Sequence, residues 1–200
     1  MKIIIDKENE KYNKINKQLG NCYTVIEGAE KYFYEFKITD NEALVIADNL
    51  IYIEDVITEF RKKNSYITKF YNADHSFYKA YEEKFTYMLP IKCIQPSKFF
   101  IDEEQLKLIE ENINCDSICL PVAIINDEYV LLDGHTRLYA MYKNDYKMVK
   151  VYLDEYNYYI NDFIYLAKEN NMFNITNLKI LSHEEYVTYW DCFVEDYFNM

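Results

Sequence analysis

Glycine and proline are scarce in this chain of 200 residues, with three of each. So few glycines exclude a collagen-like or linker-rich protein, and each glycine marks a place where the backbone needs a conformation other residues resist. No apolar run is long enough to cross a bilayer as a helix. The opening Met1-Lys2-Ile3-Ile4-Ile5-Asp6 is too short an apolar stretch to act as a secretion signal, so the expected location is cytoplasmic. Basic residues are outnumbered, and the formal net charge is -12. That surface repels nucleic acid and anionic lipid on average, so neither DNA nor a membrane is an expected partner. The five cysteines, at 22, 93, 115, 119 and 192, are odd in number and cannot all pair within one chain. Cys115 and Cys119 lie close, but no histidine nearby completes a zinc set, and reduced thiols packed as small residues are the simpler reading.

What is abundant is apolar and aromatic. Half the residues are apolar, with 22 tyrosines and 12 phenylalanines, enough to build a real core. No repeat or low-complexity linker interrupts the chain. In the first 85 residues, Tyr32, Tyr34, Phe36 and Ile38 alternate with charged neighbours, which predicts a half-buried strand over Lys31 to Ile38. Ala43 to Ile46 and Leu50 to Ile53 read as short strands. Val56, Ile57 and Phe60 at helical spacing predict a helix over Glu54 to Lys63, and the aromatic, charged stretch from Tyr66 to Phe85 reads as helix.

The pattern sharpens from Met88. Leu89 to Ile94 reads as a strand. Asp102, with Gln105 three residues on, opens a helix to about Ile113, with Leu106, Ile109 and Ile113 on its stripe. Pro121 to Ile125 and Tyr129 to Leu132 flank Asn126-Asp127-Glu128 as a hairpin. Met148 to Leu153 is a strand. Two helices are expected in the tail, one over Ile160 to Asn170 and one from Ser182, capped with Glu185, to about Tyr197, burying Trp190, Phe193 and Tyr197. The fold class expected is α+β: a small mixed sheet flanked by helices over 86–155, a β-containing N-terminal extension over 1–85, and a helical tail over 156–200.

One segment carries chemistry. Val130-Leu131-Leu132 ends in Asp133-Gly134-His135-Thr136-Arg137, and a helix follows. Gly134 permits the sharp turn and leaves room for a ligand at the backbone. The helix start offers unpaired N–H groups and the positive end of its dipole. Arg137 can fork two donors onto phosphate oxygens, and His135 can add another. Gly134, His135, Thr136 and Arg137 are therefore candidate anion-binding residues. The bland alternative is an ordinary connection, in which Asp133 caps the helix and Arg137 pairs with a surface acid.

Residues 89–154 resemble the ParB/sulfiredoxin superfamily. The resemblance rests on Leu89-Pro90-Ile91-Lys92-Cys93-Ile94-Gln95-Pro96-Ser97, a helix with acidic caps, Leu120-Pro121-Val122-Ala123-Ile124-Ile125, then Leu131-Leu132-Asp133-Gly134-His135-Thr136-Arg137-Leu138-Tyr139-Ala140, and Val149-Lys150-Val151-Tyr152. Its Asp-Gly-His-x-Arg core is similar to the version in free serine kinases. In that superfamily this turn grips nucleotide phosphates. The resemblance thus implies a nucleotide partner (ATP, ADP or CTP, with magnesium) and a small-molecule phosphotransferase or a nucleotide hydrolase, with a small-molecule substrate; a ligand-sensing or protein-interaction module without turnover is the other reading. Sulfiredoxins carry a cysteine inside the box, and this turn has none. Partition proteins follow the domain with a DNA-reading module, whereas from Asp154 onward this chain carries nine acids against Lys168 and Lys179. The kinase branch places a catalytic acid after the first strand, where Asp102 and Glu103 stand, although both also suit the start of a helix. Asp133 is the better candidate for a base or a magnesium contact, and Lys98 could add a phosphate contact. His75 and His183 suggest no role.

Overall fold

The structure, a computed structural model, describes residues 1–6, 9–12, 20–112 and 118–199. The protein is α+β and divides into two compact units, Met1–Lys84 and Phe85–Met200.

The first unit is a six-stranded sheet in the order β1-β2-β3-β4-β5-β6, formed by Lys2–Ile5, Cys22–Glu27, Glu30–Thr39, Glu42–Ala47, Lys69–Asn72 and Phe77–Ala80. All pairings are antiparallel except β4 with β5, which needs a crossover and receives one from helix α1, Ile53–Arg61. Phe60 of α1 stacks on Phe36 of β3 with ring centroids 3.9 Å apart, and Tyr23 and Phe70 meet these rings edge-on. Two sequence expectations fail here. Leu50 to Ile53 is a turn leading into α1, where Asn49 accepts the Ile51 N–H at 2.8 Å and leaves Leu50 and Ile51 exposed. Tyr66 to Phe85 holds the β5–β6 hairpin instead of a helix. Its turn carries His75 at φ 66° and Asp74 accepting the Ser76 N–H, and its aromatics fit a pleated surface as readily as a helical stripe.

The second unit has a five-stranded sheet in the order β7-β12-β10-β11-β8, formed by Thr86–Pro90, Met148–Leu153, Cys119–Ile125, Glu128–Leu131 and Ile94–Pro96. The expected strand over Leu89 to Ile94 is broken. Pro90 cannot donate to a ladder, so β7 ends there, a 3-10 turn spans Ile91–Cys93, and β8 begins at Ile94. β7 and β8 lie on opposite edges of the sheet. Four strand spacings in a flat sheet would separate them by about 19 Å, whereas the residues from Pro90 to Ile94 reach about 14 Å at most. The sheet is therefore strongly curled. The hairpin between β10 and β11 turns through Asn126 and Asp127, both at positive φ, which matches the right-handed strand twist.

Helix α2, Glu103–Asn112, follows the short strand β9, Phe100–Asp102; helix α3, His135–Lys143, follows β11; helix α4, Tyr159–Glu169, follows β12. Strand β13, Lys179–Leu181, pairs in parallel with β9 and was not foreseen. After Ser182, whose side chain and that of Glu185 form a reciprocal cap, α5 (His183–Tyr186) runs through a π turn over Val187–Asp191 into α6, Cys192–Asn199. Leu120, Val149, Leu138, Phe163, Ala167 and Trp190 share one core, so the C-terminal helices are part of this unit's interior. No helix among the described residues is long and apolar enough to cross a membrane. Ile113 and Cys115 lie outside the described residues; Cys22 and Cys119 are buried thiols, and Cys93 and Cys192 are exposed ones.

Candidate functional site

The apolar run of β11 ends at Leu131, and the chain turns through Asp133 and Gly134 into α3. Gly134 is the helix N-cap at φ 84°, a left-handed conformation that costs a side-chain-bearing residue energy. A Cβ built there would stand 2.6 Å from Leu120 Cδ2 and about 3 Å from two guanidinium nitrogens of Arg137. Glycine is thus required twice, by the backbone and by the space. Lacking a side chain, it caps nothing, so the first turn of α3 has no side-chain cap.

Arg137, on that first turn, folds back over Gly134. Its Nη2 lies 3.1 Å from Asp133 Oδ2, with the two side chains 26% and 54% exposed. Burial raises the Asp133 pKa, but Arg137, the Gly134 N–H and the charge of Lys98 outweigh it and hold the carboxyl below its ordinary value. Asp133 is therefore a firmly ionised carboxylate and Arg137 its counter-ion. An anion at Arg137 would meet the charge of Asp133 beside it.

His135 departs from the expectation that it reaches a ligand. It is buried at 3% exposure, and its Nε2 accepts the Ser97 N–H at 3.0 Å. An N–H can only donate, so the imidazole is the neutral tautomer with its proton on Nδ1. Burial first, then the charges of Lys98 and Arg137, push its pKa down to about 3, against the opposing effect of Asp133. Nδ1 is buried without a hydrogen-bond partner. Here His135 ties the loop after β8 to the start of α3. Ser97 adds a second tie, donating from Oγ to the Leu131 carbonyl at 2.8 Å.

Lys98 follows directly in that loop. Its Nζ is 3.2 Å from the Tyr186 hydroxyl and lies 5.9 and 5.5 Å from the ring centres of Tyr186 and Trp190. Its charge is felt by both Asp133 and His135. The structure thus gathers Lys98, Asp133, Gly134, His135 and Arg137 at one place. Thr136 faces α2, where its hydroxyl donates to Gln105 Oε1 at 2.9 Å. The two other candidate acids are otherwise engaged. Asp102 is 8% exposed and caps α2 by accepting the Glu104 N–H at 2.9 Å; its other oxygen is 2.8 Å from His183 Nδ1. Glu103 pairs with Lys107 on the surface of α2 at 2.9 Å. Among the described residues, no group of three or more His, Cys, Asp or Glu side chains is arranged to hold a metal ion. An open depression on the same unit, lined by Ala123, Ile124, Leu153, Asp154, Glu155 and Tyr156, includes none of the turn's residues.

Sequence reasoning did not foresee the contacts of Tyr186 with Lys98, of Gln105 with Thr136, or of His183 with Asp102. They depend on tertiary pairing, β13 on β9 and α3 against α2, for which no local pattern exists.

No protein-family model matches the chain, and no curated protein matches it. Among solved structures it is similar to protein Atu1540 from Agrobacterium tumefaciens, with a TM-score of 0.36 and 14% identity. That match covers 48% of this chain and 62% of the other, so the chain spans less than two thirds of that protein's length.

Proposed function

We propose that this is a cytoplasmic nucleotide-binding protein of the ParB/sulfiredoxin type, in which the start of α3 receives the phosphates of ATP, ADP or CTP. The observation that carries the reading is the helix start itself. It has no side-chain cap, opens on a glycine that nothing can replace without a clash, and has Arg137 folded over it, with the charge of Lys98 acting on the neighbouring Asp133. Free N–H groups, the helix dipole and two cations together suit an oxyanion.

Asp133 sets the condition for binding. Its negative charge beside Arg137 opposes a phosphate; Asp133 would help to hold a magnesium ion, whose positive charge would offset that repulsion. A carboxylate held below its ordinary pKa is a weak base and a good metal contact, so the magnesium role suits Asp133 better than proton abstraction. In a phosphotransferase or hydrolase of this kind, the terminal phosphorus leaves its bridging oxygen as the bond to a hydroxyl or water forms. The reading without turnover, a ligand sensor or interaction module, draws on a specific observation: Asp102 and Glu103 are both committed to α2, by its cap and by Lys107.

The test is thermal unfolding with ATP, ADP, CTP and GTP, with and without magnesium, followed through the single tryptophan, Trp190, which is buried in the core of this unit. A ligand at a hundred times its dissociation constant stabilises by about 2.7 kcal/mol. We expect a shift that requires magnesium. No shift with any nucleotide would overturn the reading. Consumption of nucleotide that disappears in Asp133→Asn would favour the enzyme; binding without consumption would favour the sensor.

A further inference from the structure

The loop between β8 and β9 is pinned on both sides of Lys98. Ser97 is buried and meets the α3 turn directly: its N–H donates to His135 Nε2 at 3.0 Å and its hydroxyl to the Leu131 carbonyl at 2.8 Å. Phe99 is buried too, with its ring edge-on to Trp190 at 5.1 Å and tilted against Phe193 at 5.8 Å. The Lys98 backbone is therefore fixed one residue from a direct contact with the first residue of α3. Its half-buried side chain is long and flexible, and such a chain costs entropy to hold in one place.

The C-terminal helices hold it. Tyr186 and Trp190 lie four residues apart, on one face of the segment that runs from α5 through the π turn, and both are buried. Lys98 Nζ donates to the Tyr186 hydroxyl at 3.2 Å and stands 5.9 and 5.5 Å from the ring centres of Tyr186 and Trp190, close enough for a cation–π attraction. Trp190 is itself fixed edge-on by Phe99 and by Phe163 of α4. Burial, and then the charges of Asp191 and Asp102, raise the Tyr186 pKa. The hydroxyl thus stays protonated and accepts the ammonium without cancelling its charge. An ammonium has three N–H donors, and this hydroxyl takes one. The charge so held is felt at Asp133 and His135, on either side of Gly134.

We infer that Tyr186 is a positioning residue of the phosphate site, holding the Lys98 ammonium ready for a phosphate oxygen of the nucleotide at the α3 turn. Affinity is then set in part by the C-terminal segment, outside the turn from Asp133 to Arg137. The inference rests on the phosphate reading of that turn. A lysine held before the ligand arrives has already lost its rotamer freedom, so that loss falls on folding and not on binding. A contact that merely braced the two segments would act on stability and leave binding alone.

The experiment is calorimetric titration of the full chain with ATP, ADP and CTP in the presence of magnesium. Wild type is compared with Lys98→Met, Tyr186→Phe and the double variant, with Arg137→Ala as the reference for the turn. Methionine keeps an unbranched stem, and phenylalanine keeps the ring beside the ammonium. Loss of the ammonium should weaken binding about tenfold, as a charge-assisted contact. Loss of the hydroxyl alone should weaken it about threefold. With methionine already at 98, Tyr186→Phe should leave the dissociation constant unchanged, because the hydroxyl acts through the lysine. An unchanged constant in either single variant, or losses that multiply in the double variant, overturns the inference. Should Lys98→Met not fold, as judged by Trp190 fluorescence, Tyr186→Phe decides: about threefold weaker binding supports the inference, and wild-type affinity with a lowered melting temperature marks a brace and overturns it. If Arg137→Ala weakens nucleotide binding while Lys98→Met and Tyr186→Phe do not, the α3 reading stands and the inference falls. If wild type binds none of the three nucleotides with magnesium, both fall.

Discussion

Replacing Gly134 by alanine tests the turn on which the site is built. Two costs add. Holding a Cβ-bearing residue at φ 84° costs about 1–2 kcal/mol. The new methyl would also stand 2.6 Å from Leu120 Cδ2, and Leu120 is fully buried in a strand at the centre of the sheet, so it cannot swing away. Overpacking of that kind costs about 1–3 kcal/mol. The sum is about 2–5 kcal/mol, a large part of the stability of an ordinary domain. By contrast Gly28, at φ 60°, has nothing within 4 Å of a built Cβ, so alanine there meets the backbone cost alone. The assay is urea unfolding followed by Trp190 fluorescence, excited where the 22 tyrosines do not absorb. The midpoint should fall with the slope unchanged. An unchanged midpoint in Gly134→Ala would refute the left-handed turn and its contact with Leu120.

Two further outcomes follow from charge. His135 is neutral in the fold because burial lowers its pKa to about 3, while the unfolded chain protonates it near about 6.5. The unfolded state therefore binds more protons between these values. Stability is full above the higher one and falls with acidification, by up to about 1.4 kcal/mol per pH unit from this residue. In His135→Gln, which keeps an acceptor for the Ser97 N–H, the acid side of the stability profile should flatten; a profile as steep as wild type would assign the loss to other groups. The second outcome concerns nucleic acid. With a net charge of -12, random duplex DNA should show no retention at physiological salt, and micromolar binding that weakens steeply with salt would contradict this.

The parts of the fold legible in the sequence are those written in local pattern. Alternation over Lys31 to Ile38 lies within β3, and the Asn126-Asp127 hairpin, the strand over Met148 to Leu153 and the Ser182–Glu185 cap are all present. What escaped depended on competition between patterns or on distant partners. Tyr66 to Phe85 is aromatic enough for either period, and the Asn72–Ser76 turn decided for a hairpin. Pro90 ended one strand because it lacks an N–H, and the chain resumed on the opposite edge of the sheet. At the site, the glycine turn and the helix start could be read directly. The inward direction of His135 could not, because its acceptor role is set by the N–H of Ser97, 38 residues away. Nor could the engagement of Asp102 by His183, which depends on a two-stranded pairing of residues about eighty positions apart.

The central claim is that Arg137 serves a ligand and not the fold. Its pair with Asp133 is a partly exposed contact at the helix start, of the kind that contributes about 0–1 kcal/mol. The measurement is the melting temperature of wild type and Arg137→Ala, each with and without ATP and magnesium, followed at Trp190. The account predicts free proteins that melt nearly together, a wild type stabilised by nucleotide, and a variant whose binding is weaker by about 1.5–3 kcal/mol. A variant that melts several degrees lower without ligand, with nucleotide shifting neither protein, would contradict it.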